Sequence, residues 1–379
     1  MIDSDGHNMP LEQNNTVNAA ASLLAESTTF DPIGHTLIGI YLTVMAVLGV
    51  TGNTLVLVTF WRKRELLSPT YAIVLALTIC DLIMSVAGTP FSAASSLAQG
   101  WLFGSIGCKW EAFITFFLGL AGLYLLAAIS VDRYIIILKP CSINCLTYRG
   151  AYLMIAFCVV LSLLFSLMPL TGWNSYTLEA ANTSCSVNWK GRTPGDTSFI
   201  ITIFLACFVL PVAVMVCCYT FLFIKVREVT QILANGPGSN RKVTNHKNAM
   251  EMKLAWMIGV MLGAYLLSWT PYAIVSLWAA IGDPDSIPVL AALLPAVLAK
   301  SATVWNPIIY VGMNKKFRQA LGNVLPCMCL TQVIAPVVSA PSEDANKTIV
   351  GELKRTSKIS GAITTKTPIL KTPKAQQNS

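Results

Sequence analysis

Residues Ile287–Val311 read IPVLAALLPAVLAKSATVWNPIIYV, an unbroken apolar run whose single charge is Lys300. At 1.5 Å per residue the run can cross ~30 Å of hydrocarbon as a helix. It lacks the strict alternation that a barrel strand would need. A lysine in such a place costs at least ~2.5–3.5 kcal/mol on insertion scales, so it calls for a chemical reason. A buried amine loses its proton, finds a counter-ion or is consumed by reaction. Lysine is also the side chain that condenses with carbonyl compounds to form Schiff bases. Spacing alone leaves three readings open for Lys300: a reactive amine, an ion pair between helices, and a relay residue in a transporter.

Working outward, six further runs are long enough to span: Leu37–Phe60, Ala72–Leu97, Cys108–Ile137, Tyr152–Leu170, Phe199–Ile224 and Leu254–Ile281. Only 12% of the residues are charged and 54% are hydrophobic, too few charges to cover a water-exposed surface. The sequence predicts an all-α membrane protein, a bundle of seven transmembrane helices occupying residues 37–313. Pro90, Pro169, Pro211, Pro271, Pro295 and Pro307 fall inside or at the ends of spans, where neighbouring helices can satisfy the carbonyls they free.

The basic residues orient the bundle. Residues 1–36 hold no Lys or Arg, whereas Arg62, Lys63 and Arg64 follow the first span. Lys139, Arg149, Lys225, Arg227, Arg241, Lys242, Lys247 and Lys253 lie in later segments of the same side. The positive-inside rule puts the N-terminus outside and the C-terminus in the cytoplasm, as in a multi-pass protein of the cell membrane. The net charge of +8 therefore belongs to the inner membrane face and not to a nucleic-acid site. The polar N-terminal tail has no basic start and no short apolar core, so the first span is expected to direct insertion. After span seven, residues 314–330 read as an amphipathic helix on the inner membrane surface, and 331–379 as a disordered cytoplasmic tail. Cys327 and Cys329 are candidates for acyl anchors there.

This topology leaves Cys108 and Cys185 as the two cysteines in an oxidising space, which suggests a disulfide across the extracellular mouth. Asn14 and Asn182 head outward glycosylation sequons. Besides Lys300, Asp81 and Glu111 lie within spans. Counting rise per residue puts Lys300 roughly 20 Å deep and Glu111 roughly 5 Å deep, so a direct contact between them looks long. Glu179, in the loop held by Cys185, is a second acid able to reach the same space. Tyr265, Trp269 and Tyr272 share one face of span six. With Gly119 on span three and Phe208 on span five they outline an aromatic slot beside the lysine. The histidines, His7, His35 and His246, all read as tail or loop residues. Neither metal ligation nor Ser/His catalysis has its residues here.

Motifs on successive spans carry a resemblance. They are Gly52-Asn53, Leu75-Ala76-Leu77 ahead of Asp81, Asp132-Arg133-Tyr134, Pro211 with Tyr219, Trp269-Thr270-Pro271-Tyr272, and Asn306-Pro307-Ile308-Ile309-Tyr310. Over residues 37–330 the chain resembles a rhodopsin-like G-protein-coupled receptor; Val159 stands where that family usually has Trp. Lys300, six residues before Asn306, matches the retinal-attachment lysine of opsins. Several stretches, among them Phe91-Ser92-Ala93-Ala94-Ser95, Gly172-Trp173-Asn174-Ser175-Tyr176, Val187-Asn188-Trp189 and Gly282-Asp283-Pro284, look like peropsins and their retinochrome- and neuropsin-like relatives.

The resemblance implies 11-cis or all-trans retinal on Lys300 as a protonated Schiff base, with Trp189 added to the pocket. Glu111 and Glu179 occupy the two counter-ion positions known in the family, and the residues leave open which one acts. Asp132, Arg133, Tyr134, Tyr219, Glu251, Asn306, Pro307 and Tyr310 would form the switch for a heterotrimeric G protein. Arg133 would pair with Asp132 and Glu251 in the resting state. Arrestin and a receptor kinase would use the C-terminal tail. The implied protein is a receptor and not an enzyme, with a retinal photoisomerase of the retinochrome type as the alternative.

Overall fold

Short polar signals decide where each apolar run begins to coil. Ser68 accepts a hydrogen bond from the backbone N–H of Tyr71, and Pro69 opens the helix behind it. Thr147 caps through Gly150 N–H. Thr193 and Asp196 form a reciprocal capping box. The computed structural model describes residues 31–138, 146–235, 241–283 and 286–324. Span one is α1 (Pro32–Arg62); span two is α2 (Pro69–Ala87) continued by α3 (Thr89–Leu97) after a break at Gly88. Span three is α4 (Gly104–Leu138) and span four α5 (Tyr148–Thr171). Span five joins α6 (Pro194–Phe204) to α7 (Leu210–Asn235) through a π-helical turn, Leu205–Val209. Span six is α8 (Arg241–Ile281). Span seven is α9 (Val289–Lys300) and α10 (Ala302–Met313), bent by 41°. Among the described residues six helices are thus long and apolar enough to cross a membrane, and the bent pair, taken as one span, makes a seventh.

The first helix starts at Pro32, where hydropathy pointed to Leu37; Asp31 makes no side-chain cap there, and the proline is itself favoured at the first helical position. One consequence corrects the reading of His35 as a tail residue: it lies in the first turn of α1, 7% exposed.

Burial separates the axis of the bundle from its rim. The apolar window of α4 is 61% buried against 22% for α5, so α4 is the helix around which the others pack. Leu153, Phe157, Val160 and Leu164 are exposed at helical spacing on α5 and form a lipid-facing stripe.

Two prolines are repaired by neighbours. Pro307 cannot donate to Thr303 carbonyl, and Asn53 Nδ2 donates there instead at 3.0 Å, with a second bond to Gly49 carbonyl at 2.8 Å. Gly52 makes the approach possible, since a Cβ there would sit 3.0 Å from the Pro307 ring. Pro211 follows the π-turn, and the Tyr124 hydroxyl donates to Ala206 carbonyl at 3.1 Å.

Two small features close the ends. At the end that the distribution of basic residues marks as outer, β1 (Tyr176–Leu178) and β2 (Cys185–Val187) form an antiparallel hairpin in register Tyr176↔Val187, which the disulfide Cys108–Cys185 ties to α4. Arg192 then donates to the carbonyls of Ala279 and Ala280 in the last turn of α8 and of Gly282 just beyond it. At the opposite end, which the same distribution marks as inner, α11 (Lys315–Val324) is amphipathic, with Phe317 and Leu321 buried and Lys315 and Lys316 exposed. Phe317 packs on Phe60 and Tyr310 at ring distances of 5.6 and 6.1 Å. Residues 1–30 and 325–379, with Asn14, Cys327 and Cys329, lie outside the described residues.

Candidate ligand site in the outer half of the bundle

Lys300 ends α9, where the helix breaks: Ser301 N–H bonds back to Leu298 carbonyl at 3.0 Å, and the axis turns before α10 resumes. Its Nζ lies 3.4 Å from Glu111 Oε1, with side chains 11% and 0% exposed. The contact anticipated as long from depth counting is therefore direct. Rise per residue along two helices ignores their tilt, the bend of span seven and the reach of the lysine stem.

Glu111 is surrounded by donors as well as by the cation. Ser92 Oγ donates to Oε1, and the backbone N–H of Cys185 donates to Oε2 at 2.6 Å. The disulfide thus does more than close the mouth, since it seats an amide of the hairpin on a carboxylate of α4. Such charge-assisted bonds keep an otherwise isolated buried anion tolerable.

Beside this pair runs a cavity with about 480 Å³ of atom-free space, its open mouth included. Met84, Ala112, Thr115, Phe116, Val187 and Ala296 are among its walls, and Lys300 and Glu179 both border it. Glu179 accepts from Ser184 Oγ and from the Tyr272 hydroxyl at 2.9 Å, and Trp189 Nε1 donates to that hydroxyl at 3.0 Å. Trp189, Trp269 and Tyr272 line the cavity. Gly119, Tyr265 and Phe208 lie behind the lining instead. Trp269 presses on Gly119, where a Cβ would come within 2.8 Å of the indole, and Tyr265 donates to Gly119 carbonyl at 2.6 Å. Phe208 sits in the π-turn against Phe204, their centroids 5.6 Å apart.

Several lining residues went unnoticed in the sequence because they are small or aliphatic. Helical spacing held a signal for two of them: Thr115 is four residues after Glu111, and Ala296 four before Lys300, each on the charged residue's own face. Thr115 Oγ1 spends its donor on Glu111 carbonyl at 2.7 Å. The remaining walls on β2 have no such periodic signal.

The inner half holds a second buried cluster. Asp132 Oδ2 accepts from Arg133 Nη2 at 2.5 Å, from Arg133 Nε at 3.1 Å and from Thr70 Oγ1 at 2.7 Å. Arg133 is only 2% exposed and also reaches Thr70. Between the two clusters Asn306 Nδ2 donates to Asp81 Oδ2 at 2.7 Å. Pro307 and Tyr310 are buried one turn further on. Tyr219 donates to Ala255 carbonyl on α8 at 3.2 Å, and Tyr134 packs edge-on against Phe221. The side chain of Glu251, the other expected partner of Arg133, lies outside the described residues. Asn182 is exposed at the hairpin tip with φ of 54°.

Among the described residues, six apolar helices and a bent seventh pair around a cavity bordered by a buried lysine fit a multi-pass membrane protein of the heptahelical receptor class. Residues 52–310 match the family described as 7 transmembrane receptor (rhodopsin family). The chain is 32% identical to the human visual pigment-like receptor peropsin over 88% of its own length and 97% of that protein. It is 34% identical to a GQ-coupled rhodopsin of Mizuhopecten yessoensis over 80% of its own length and 63% of that protein. Its fold is similar to the crystal structure of squid rhodopsin, with a TM-score of 0.75 at 27% identity over 84% of this chain and 91% of that one. The chain belongs to the rhodopsin family of seven-transmembrane receptors and, within it, to the opsins, a family of light receptors.

Proposed function

We propose that this opsin carries retinal on Lys300 and passes the light signal to a heterotrimeric G protein. The observation that carries the reading is a primary amine buried at the side of an apolar, aromatic-walled cavity with a carboxylate 3.4 Å away. The lining fits an aldehyde ligand: it holds one amine, Lys300, with a carboxylate against it, and no other amine or free thiol among the described lining residues. Held there as a Schiff base, 11-cis or all-trans retinal would supply light absorption and a change of shape.

The chain's own residues do the rest. Glu111, fixed by Ser92 and the Cys185 amide, balances the cation at Lys300 Nζ. Glu179, oriented by Ser184 and Tyr272, faces the cavity from the hairpin and is the second acid. Trp269, wedged between the cavity and Gly119, transmits strain from the lining to α4. Below it, the Asn306–Asp81 bond and the Arg133–Asp132–Thr70 cluster hold the inner face in one of two arrangements. With Arg133 turned inward and buried, the arrangement described is the resting one. Opening it would free the inner ends of α7 and α8 for a G protein, with Tyr219 and Tyr310 supporting the cleft.

In this reading the N-terminus is extracellular, with glycans on Asn14 and Asn182. The C-terminus is cytoplasmic, with acyl chains on Cys327 and Cys329 and a tail that arrestin and a receptor kinase engage. Photoisomerase action with little signalling is the competing reading, and the intact Asp132–Arg133 cluster favours signalling. The test is an absorption spectrum of purified protein regenerated with retinal, before and after illumination, with extracted isomers identified and light-dependent nucleotide exchange measured alongside. A pigment band, borohydride trapping on Lys300 and exchange by the G protein are expected. Failure of trapping sinks the attachment, and isomerisation without exchange sinks the signalling.

A further inference from the structure

Span two breaks at Gly88, one turn before the serine that serves Glu111. Pro90 has no N–H to offer Val86, and Phe91 N–H bonds to Gly88 carbonyl at 3.1 Å. That tight turn stands in place of the four-residue step that would end on Ala87. The Ala87 carbonyl accepts from Trp110 Nε1 of α4, at 3.0 Å. Trp110 is 45% exposed near the outer end of its span, where a tryptophan ordinarily turns its N–H to the membrane interface. Here the N–H is spent on the backbone of the neighbouring helix. The next residue, Glu111, is fully buried and accepts from Ser92, four residues past Gly88. Gly88 lets α4 come close, since a Cβ there would meet the Thr115 methyl at 2.8 Å.

We propose that Trp110 is a positioning residue for the carboxylate site: its indole holds the bend of span two, and the bend sets Ser92 on Glu111. Residues 110 and 111 are consecutive on one turn of α4, so that turn grips span two on both sides of the break. The indole holds the backbone before it, and the carboxylate holds the serine after it. A change of about 20° in the bend moves a group one turn away, ~5.4 Å, by about 2 Å. Hydrogen bonds do not survive such a displacement. Losing the indole also leaves a backbone carbonyl without its donor beside the lipid, which favours a different bend. Ser92 donates to Oε1, the oxygen facing Lys300 Nζ, so its departure leaves more negative charge against the amine. Trp110 is not among the walls of the cavity and acts on the site through Ser92.

The positioning stands without any ligand on Lys300; its effect on a pigment rests on the Schiff-base reading above. In the retinal-free protein, amide hydrogen exchange over residues 86–97 should rise about fivefold in Trp110→Phe, the factor that one ordinary hydrogen bond represents. Trp278→Phe removes an indole 46% exposed near the outer end of α8 and should leave that exchange unchanged. Equal exchange in wild type and Trp110→Phe, or the same rise in Trp278→Phe, overturns the indole's hold on the bend. Thermal unfolding of the retinal-free protein closes a cycle. Losses from Trp110→Phe and Ser92→Ala should combine to less than their sum, because the first already unseats the second. Strict additivity overturns the link to Ser92. In regenerated pigment both single variants should shift the absorption band to shorter wavelength, since a carboxylate short of one donor holds the cation at Lys300 more tightly. The double variant should shift no further than Ser92→Ala alone. A band that Trp110→Phe leaves in place overturns the role at the site. Absence of any band in the wild type counts instead against retinal on Lys300, and exchange and unfolding still decide the positioning.

Discussion

The outer and inner halves of the bundle each bury a charged pair, but they secure it differently. Outside, Lys300 and Glu111 come from different spans, and the pair is completed by a serine of α3 and a backbone amide of β2. Inside, Arg133 and Asp132 are neighbours in sequence, completed by Thr70 of α2. The outer pair therefore depends on four elements being in place and marks a site pinned by a disulfide. The inner pair joins sequence neighbours on α4, and Thr70 of α2 is bonded to both of them. A cluster built this way can be opened by shifting a single helix, which suits a switch, whereas the outer cluster suits a fixed seat for a ligand.

The largest expected effect that tests this contrast is on the outer side. Lys300→Ala should abolish the pigment band while the folded protein persists, as measured by absorbance after regeneration and by circular dichroism; a surviving band would move the attachment elsewhere. Next comes Glu111→Gln, which leaves a buried cation unpaired and should cost about 3–5 kcal/mol in thermal unfolding of the retinal-free protein. Combining it with Lys300→Met should recover much of that loss, and additive losses would show that the pair is not coupled. Replacing Cys108 by Ser removes a cross-link spanning 77 residues and unseats the amide on Glu111. A loss of about 2–4 kcal/mol is expected from the cross-link, and the Glu111→Gln penalty should shrink in that background. The smallest effect belongs to the inner half. Thr70→Val removes one donor to Asp132, worth about 1 kcal/mol, and should raise dark nucleotide exchange several-fold with little change in the melting temperature. A large stability loss there would mean the inner cluster is as structural as the outer one.

Legibility in the sequence followed the same divide. The seven spans, the amphipathic α11 and the buried Lys300 could be read from hydropathy, charge and spacing, because each is a property of one segment; the Cys108–Cys185 pair followed from the topology those segments imply. Glu111 and Glu179 could be recognised as the acids in play. Their relation to Lys300 could not, since it depends on how α4, α9 and the hairpin tilt toward one another. The pocket list shows the limit well. Trp269, Tyr272 and Trp189 are large enough to be noticed, whereas Ala112, Ala296 and Val187 matter only through where the packed helices put them. Conversely Tyr265 and Gly119 sit on the expected face but are used up in packing Trp269.

What the sequence determined alone is the solvent: too few charges for water and seven apolar runs dictate a membrane bundle, and one lysine in the last run marks a buried charge that needs a partner. The tertiary structure decided the partners. The 3.4 Å contact to Glu111, the amide delivered by Cys185 and the Trp110 indole on Ala87 join residues of different elements. Hydropathy acts through local composition, but a hydrogen bond is made or lost over a fraction of an ångström, and only the packed helices set distances that finely.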